Sequence, residues 1–256
     1  MKIIKLLLAL LFLMVILACG AVSSPSIQQP PTSASTPVPP TLALPTPIPP
    51  TFTATPIPPT PTPEVQQFFT ENFQGEYADS WTYFLREGEE EKFSLSSTGD
   101  GLLFELTGLG IFSYLVYEPF EYEDVRLDAT VENLGVNDNN VTLFCRYSVE
   151  GGWYEFNVYS SGLYDMYFTK PDSSGNLNYG LIAEGGSRNI NMGQATNKYS
   201  IVCKKDSLTL FINDVETRTV GIPAYALENG KVGVSVSSFG QIPVKVVFKE
   251  VQISQP

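Results

Sequence analysis

The chain has 256 residues, no histidine, and a net charge of −12 at neutral pH from 27 acidic and 15 basic residues. The missing histidines exclude Ser-His and Cys-His nucleophilic catalysis and the usual histidine-built metal centres. The acidic balance argues against nucleic acid and against an anionic membrane surface as partners, because both need basic patches.

The chain opens with Lys2 and Lys5, followed by an unbroken 13-residue apolar run from Leu6 to Ala18 and then Cys19-Gly20. A basic n-region, a short h-region and a small residue before the cut predict a secretory signal over residues 1–18. The run is shorter than the roughly 20 apolar residues a membrane-spanning helix needs. Ile16-Leu17-Ala18-Cys19 resembles the lipobox of bacterial lipoproteins. The resemblance implies that Cys19 is diacylated, becomes the first mature residue, and anchors the chain to a membrane outside the cytoplasm.

Residues 19–63 read as a linker. Between Pro25 and Pro63 there are 15 prolines, nine threonines and no charged residue, and Thr-Pro-Ile-Pro-Pro phrases recur at Thr46 and Thr55. Such a composition cannot bury a core. Proline fixes φ near the polyproline II value, so the segment is expected to be a disordered, semi-rigid stalk, reaching up to about 120 Å at about 3.1 Å per residue.

Residues 64–256 hold all 27 acidic residues and 13 of the basic ones, a net −14. This length is ample for one hydrophobic core. With Cys19 lipidated, Cys145 and Cys203 remain, and an even pair in a secreted domain suggests a disulfide. Two buried free thiols are the other reading, since cysteine also packs as a small hydrophobe.

No stretch of this region has helical periodicity. Short runs rich in Val, Ile, Phe and Tyr alternate with polar residues between Gly, Asn, Asp and Ser, which predicts an all-β fold. Strands are expected at 101–107, 111–117, 125–132, 141–148, 153–160, 163–169, 178–183, 199–204, 208–213, 231–237 and 244–253. The Glu89-Glu90-Glu91 run beside Gly88 reads as a solvated turn, and Asn213-Asp214 as a tight hairpin turn. So many short strands imply a two-sheet sandwich or a barrel.

Phe69 to Phe73 followed by Trp81, Leu208-Thr209-Leu210-Phe211-Ile212-Asn213-Asp214, Gly230-Lys231-Val232-Gly233-Val234 and Phe248-Lys249-Glu250-Val251-Gln252-Ile253 together resemble concanavalin-like lectin/glucanase domains. The second segment matches their L-x-L-(F/Y)-(I/V)-N-G hairpin, with Asp214 where glycine is usual. The last matches their closing strand, with Lys249 and Glu250 replacing Asp and Asn. The resemblance implies an antiparallel jelly-roll sandwich whose last strand pairs beside the first. It also implies that calcium is worth seeking. The oxygen-rich loop Asn133–Asn140, with Asn137 and Asp138, supplies weak candidate ligands, although Asn, Asp and Gly are equally ordinary turn residues. The E-x-D-x-x-E signature of laminarinase-like members is absent. Asp128 and Glu132 share a strand face but stand about 13 Å apart, too far for paired carboxyl catalysis.

If 125–132, 141–148, 153–160 and 163–169 form a meander, its inward parity is Val125, Leu127, Ala129 and Val131; Val141, Leu143, Cys145 and Tyr147; Tyr154, Phe156 and Val158; and Tyr164, Met166 and Phe168. The outward parity then gathers Asp128, Thr130, Phe144, Arg146, Trp153, Glu155, Asn157, Tyr159, Asp165 and Tyr167. Rings beside planar polar groups suit a sugar, whose C–H face stacks on an aromatic and whose hydroxyls take hydrogen bonds. A covered face, with the aromatics as a second core layer, is the competing reading. The sequence therefore supports a surface lipoprotein presenting a non-catalytic carbohydrate-binding sandwich. A structural or protein-interaction domain of the envelope is the alternative, and a glycoside hydrolase-like enzyme a lesser one.

Overall fold

The computed structural model describes residues 65–75, 79–222 and 227–256; the signal segment, Cys19 and the Pro/Thr-rich stretch expected over 1–63 lie outside the described residues. The alternation of apolar and polar residues is realised as strands along the domain. They are β1 (Phe69–Glu71), β2 (Trp81–Glu87), β3 (Phe93–Thr98), β4 (Gly101–Leu106), β5 (Phe112–Tyr122), β6 (Val125–Asn133), β7 (Asn139–Ser148) and β8 (Gly152–Tyr159). They continue as β9 (Leu163–Pro171), β10 (Leu177–Gly186), β11 (Thr196–Lys204), β12 (Ser207–Ile212), β13 (Val215–Gly221), β14 (Gly230–Ser238) and β15 (Val244–Ser254). The glutamate run forms an exposed 3-10 turn, Glu90–Lys92.

Two antiparallel sheets face each other. The first runs β13-β12-β11-β6-β15-β4-β3, with β1 also paired to β15; the second runs β10-β9-β8-β7-β14-β5-β2. The closing strand does return beside the first, with Phe69 opposite Ile253. Asn213 and Asp214 both take positive φ, 50° and 63°, as a type I′ hairpin turn requires. The inner faces meet in one core of fully buried side chains, among them Leu127, Leu143, Phe156, Met166, Ile201, Val234 and Phe248. Cys145 on β7 and Cys203 on β11 form a disulfide that ties one sheet to the other.

Two expectations are corrected here. Strand β6 does not precede β7 in a meander; it lies in the first sheet between β11 and β15. Its inward parity was right, because Val125, Leu127, Ala129 and Val131 are buried, but its outward residues look away from the other three strands. The second correction concerns β7. Arg146 takes φ 56°, and the β7–β8 register jumps from Cys145↔Tyr154 to Ser148↔Gly152. This bulge changes the alternation. Tyr147 therefore sits outside with Phe144, their ring centroids 5.8 Å apart, instead of in the core. Gly230, with φ 156°, passes over the bulge so closely that a Cβ there would lie 2.4 Å from the Arg146 carbonyl carbon.

The cross-link closes a 58-residue separation, worth about 4 kcal/mol in the chain-entropy account. Cys203→Ser is expected to lower the unfolding free energy in urea by roughly that amount, and adding reductant to the unmodified protein should reproduce the loss.

Candidate functional site

The outer face of the second sheet is built by one parity of its seven strands. In register across it, Tyr114, Ser235, Thr142, Asn157, Asp165 and Glu184 stand in a row over β5, β14, β7, β8, β9 and β10. The face divides into a covered half and an open half.

In the covered half, Tyr114, Val116, Phe144 and Trp153 form a second buried cluster, against which Phe84, Phe112, Tyr147 and Leu177 pack. The Phe84 and Tyr114 rings stack at 5.1 Å and 5°. Gly233 lies beneath Phe144, where a Cβ would come within 2.3 Å of the ring. Two elements close over this layer from opposite edges of the sheet. Arg86 on β2 donates from Nη2 to the Gly175 carbonyl in the β9–β10 turn at 2.9 Å, and Leu177 follows that turn onto the cluster. Trp153 is consequently 3% exposed, so it and Phe144 serve as packing residues and not as an open stacking platform.

Glu155 lies under the same cover. Its carboxylate accepts from Trp153 Nε1 at 3.0 Å, Tyr114 OH at 3.0 Å and Thr169 Oγ1 at 2.8 Å. Burial pushes its pKa up, while these three donors pull it back. Tyr114 is raised well above the ordinary phenol value, by burial first and then by the field of Glu155.

The open half is a cleft of about 300 Å³ lined by the rings of Phe112, Tyr114, Tyr159, Tyr167, Tyr179 and Phe239. Asn140, Thr142, Asn157 and Ser237 form its polar floor. The Tyr159 and Phe239 rings stack at 5.9 Å, and the Tyr167 and Tyr179 rings meet edge to face at 5.9 Å. A hydrogen-bond ladder crosses the floor. Thr142 Oγ1 donates to Asn157 Oδ1; Asn157 Nδ2 donates to Asp165 Oδ1 at 2.8 Å; Tyr159 OH donates to Asp165 Oδ2 at 2.8 Å. Burial raises the Asp165 pKa, the two donors oppose it, and Glu184 adds to it. Tyr179 is pushed up to about 12, again chiefly by burial.

No protein-family model and no curated protein matches this sequence. Solved structures share its architecture at low identity. A carbohydrate binding module of Bacillus subtilis, CBM66, aligns with a TM-score of 0.51 and 14% identity, covering 69% of this chain and 96% of that one. A glycoside hydrolase family 16 endo-glucanase from Bacteroides ovatus, in complex with G4G3G-2F-DNP, gives 0.52 and 13% over 73% of this chain and 99% of that one. The exoplasmic/lumenal domain of VIP36, bound to Ca2+ and Man3GlcNAc, gives 0.53 and 8% over 75% and 91%. The chain has the jelly-roll sandwich fold.

Of the residues singled out from sequence, Glu155, Asn157, Tyr159 and Tyr167 line the cleft together. Asp128 does not. On β6 it faces out from the first sheet, accepting from Arg126 at 2.7 Å and from Ser200 Oγ at 2.6 Å. Arg146 does not either. It is 1% exposed, and its guanidinium donates to the carbonyls of Leu227 at 2.6 Å and Glu123 at 3.1 Å, because the bulge turns it off the outer face. Glu132 pairs with Lys249 at 2.8 Å.

The Asn133–Asn140 loop is tied to neighbouring segments. Asn133 Nδ2 donates to the Gly193 carbonyl at 3.0 Å and Asp138 Oδ2 accepts from Gly240 N–H at 2.6 Å. With one carboxylate already engaged, Asn137 and Asp138 make a poor calcium set, and among the described residues no group of three His, Cys, Asp or Glu is placed to hold a metal. Phe112, Tyr179 and Phe239 were missed. The first two lie on expected strands whose sheet was not assigned, and Phe239 follows β14 in a segment with no periodic signal.

Trp153→Ala is expected to cost about 3–5 kcal/mol of stability, while Tyr179→Ala, at a residue 46% exposed, should stay within about 1 kcal/mol; urea titration separates the two. Indole emission should also resist acrylamide quenching, since Trp81 and Trp153 are each 3% exposed.

Proposed function

We propose that the chain is a surface lipoprotein whose sandwich is a non-catalytic carbohydrate-binding module, using the open half of the second sheet's outer face as its site. The observation that carries this reading is the cleft itself, where a Tyr159–Phe239 stack and a Tyr167–Tyr179 pair stand beside the Thr142–Asn157–Asp165 ladder. Apolar ring faces next to planar hydrogen-bonding groups match the two surfaces of a pyranose. The carbohydrate binding module and the oligosaccharide-bound lectin-like and glucanase structures of the same fold support the reading by analogy.

The carboxylates favour binding over hydrolysis. Both oxygens of Glu155 are engaged by side-chain donors beneath the cover, and both oxygens of Asp165 are engaged by Asn157 and Tyr159. One observation keeps a hydrolase-like second reading alive. Glu155 and Asp165 are diagonal neighbours on β8 and β9, a relation that places their backbone positions roughly 7–8 Å apart and their side chains on the same face, as a carboxyl pair requires. Release of reducing ends from a bound polysaccharide would favour that reading.

In the lipoprotein part of the proposal, Cys19 carries the anchor and the Pro/Thr-rich stretch holds the module away from the membrane. Metabolic labelling with palmitate is expected to mark the wild-type chain and to disappear in Cys19→Ala. On a glycan array, the protein should retain at least one polysaccharide class. Tyr159→Ala and Phe239→Ala should each weaken that binding by about tenfold with the melting temperature nearly kept. A blank array would instead favour an envelope domain that interacts with proteins.

A further inference from the structure

Turns at the ends of a sandwich have no core to fill, and Gly, Asn, Asp and Ser suffice to build them. A large aliphatic side chain there answers no packing demand. By register, strands β4, β6, β8, β10, β12 and β14 all finish at one end of the sandwich. Each of the six connections that follow them presents one exposed aliphatic, within it or at its exit. These are Leu109, Leu134, Leu163, Met192, Val215 and Ile242, between 41% and 67% exposed. At the opposite end, Val149 is the one such side chain among the described residues of the connections, which turn instead on acidic residues such as Asp100, Asp124 and Asp172.

Isolated exposed apolar residues are ordinary on a protein surface. These six are not isolated, because hydrogen bonds lock their connections into one platform. Ser238 Oγ, at the end of β14, donates to the Gly108 carbonyl at 2.7 Å, and Val136 N–H donates to the Pro243 carbonyl at 3.2 Å. Gln194 Nε2 donates to the Leu134 and Gly135 carbonyls at 3.2 and 3.1 Å. Gly193 N–H donates to the Ser160 carbonyl at 3.1 Å, and Asn213 Nδ2 to the Asn189 carbonyl at 2.6 Å. Side chains raised on such a platform need little further ordering on contact.

The tip is also nearly uncharged, within a domain of net −14. Between their strands the six connections hold only Asp138, Arg188 and Asp214 as charged residues. Both carboxylates are engaged, by the Gly240 N–H at 2.6 Å and by Lys198 at 2.8 Å.

We infer that this end of the sandwich is a lipid-contact tip, whose six aliphatic side chains dip into the interface of a neutral, zwitterionic bilayer. It stands independently of the cleft. Side chains entering a headgroup layer gain with the apolar area they remove from water. The Asn, Gln, Ser and backbone groups between them keep hydrogen-bond partners among headgroups and water. A folded protein is a poorer fit, because such interfaces centre on packed aromatic and arginine anchors. The tip exposes no large aromatic, and its aliphatics stand on separate crests beside a hollow lined by Asn137, Gln194 and Gln241. A fluid surface conforms to that relief. Charge selects the lipid: an anionic bilayer would repel the acidic domain, and Glu89–Glu91 stand at this same end on the edge strands β2 and β3, so a surface without net charge is the match.

The test places a reporter at the tip. Trp81 and Trp153 are buried, so a new exposed tryptophan reports its own surroundings. In the full chain mixed with phosphatidylcholine vesicles, Met192→Trp emission is expected to shift to the blue and to be quenched by lipid brominated on its acyl chains. Val149→Trp, at the opposite end, should do neither, so attachment through residues 1–63 alone would not mimic the result. Adding Leu134→Ser and Ile242→Ser to Met192→Trp should remove most of the quenching with the melting temperature nearly kept, since both positions are exposed. Phosphatidylglycerol vesicles should quench less, most visibly at low salt.

Equal quenching of the two reporters, or none at the tip, would overturn the lipid assignment. A blue shift of Met192→Trp that needs no vesicles and grows with protein concentration would replace the bilayer by a second copy of this chain. Stronger quenching in phosphatidylglycerol than in phosphatidylcholine would overturn the choice of a neutral surface.

Discussion

Strand β7 has almost no solvent face. From Asn139 through Arg146 every residue is buried, with Val141, Leu143 and Cys145 turned into the main core and Asn140, Thr142 and Phe144 turned under the outer layer. A strand buried on both sides is ordinarily a continuous apolar run, yet this one carries polar residues on its outer side. Such groups gain by pairing within the sheet, since water cannot reach them. Thr142 therefore bonds to Asn157 and Asn157 to Asp165, and the chain of donors runs outward until it reaches a strand that is partly exposed. The ladder on the cleft floor is a consequence of burying the middle of the sheet. Its acidic end marks where that burial stops.

The covered half of the face follows from the same constraint. Glu155 is directly opposite both Phe144 and Tyr167 in the register, so a carboxylate is placed beside the aromatic layer. It is tolerated because Trp153, Tyr114 and Thr169 all point donors at it. Those bonds fix the orientation of the indole and phenol rings beneath the cover, so polar satisfaction and aromatic packing specify each other. Had the Arg146 bulge been absent, Tyr147 would alternate into the core and the layer would lose the ring that contacts both Phe144 and Trp153. A single left-handed residue thus places one ring of the closed half.

What was legible in the sequence was whatever depends on period-two alternation. The inward residues of β6, β7 up to Cys145, β8 and β9 could be named because the pleat sends alternate side chains to opposite sides. The Cys145–Cys203 pairing was open to arithmetic. Alternation is silent on which of two sheets a strand joins, and so Asp128 was placed on the wrong face. A bulge leaves no compositional mark either: nothing in Phe144-Cys145-Arg146-Tyr147 announces that Arg146 will leave the outer face to hold the Glu123 and Leu227 carbonyls. The cover over Trp153 depends on Arg86 meeting Gly175, 89 positions away, a contact no local pattern encodes.

The weak sequence likeness to structures of the same fold has a physical basis. The sandwich asks only that inner positions be apolar and that turns permit the chain to reverse, and many sequences satisfy that. The outer face of the second sheet is under no such demand. It can be closed by aromatics, opened as a cleft, or divided between the two, as it is here. The closed half supplies rigidity at little conformational cost, because stacked rings have few rotamers to lose. The open half then begins from walls that are already fixed, with Tyr114 held by Glu155 and Tyr159 held by Asp165. A ligand entering it need not order those side chains, so more of its contact energy remains as affinity.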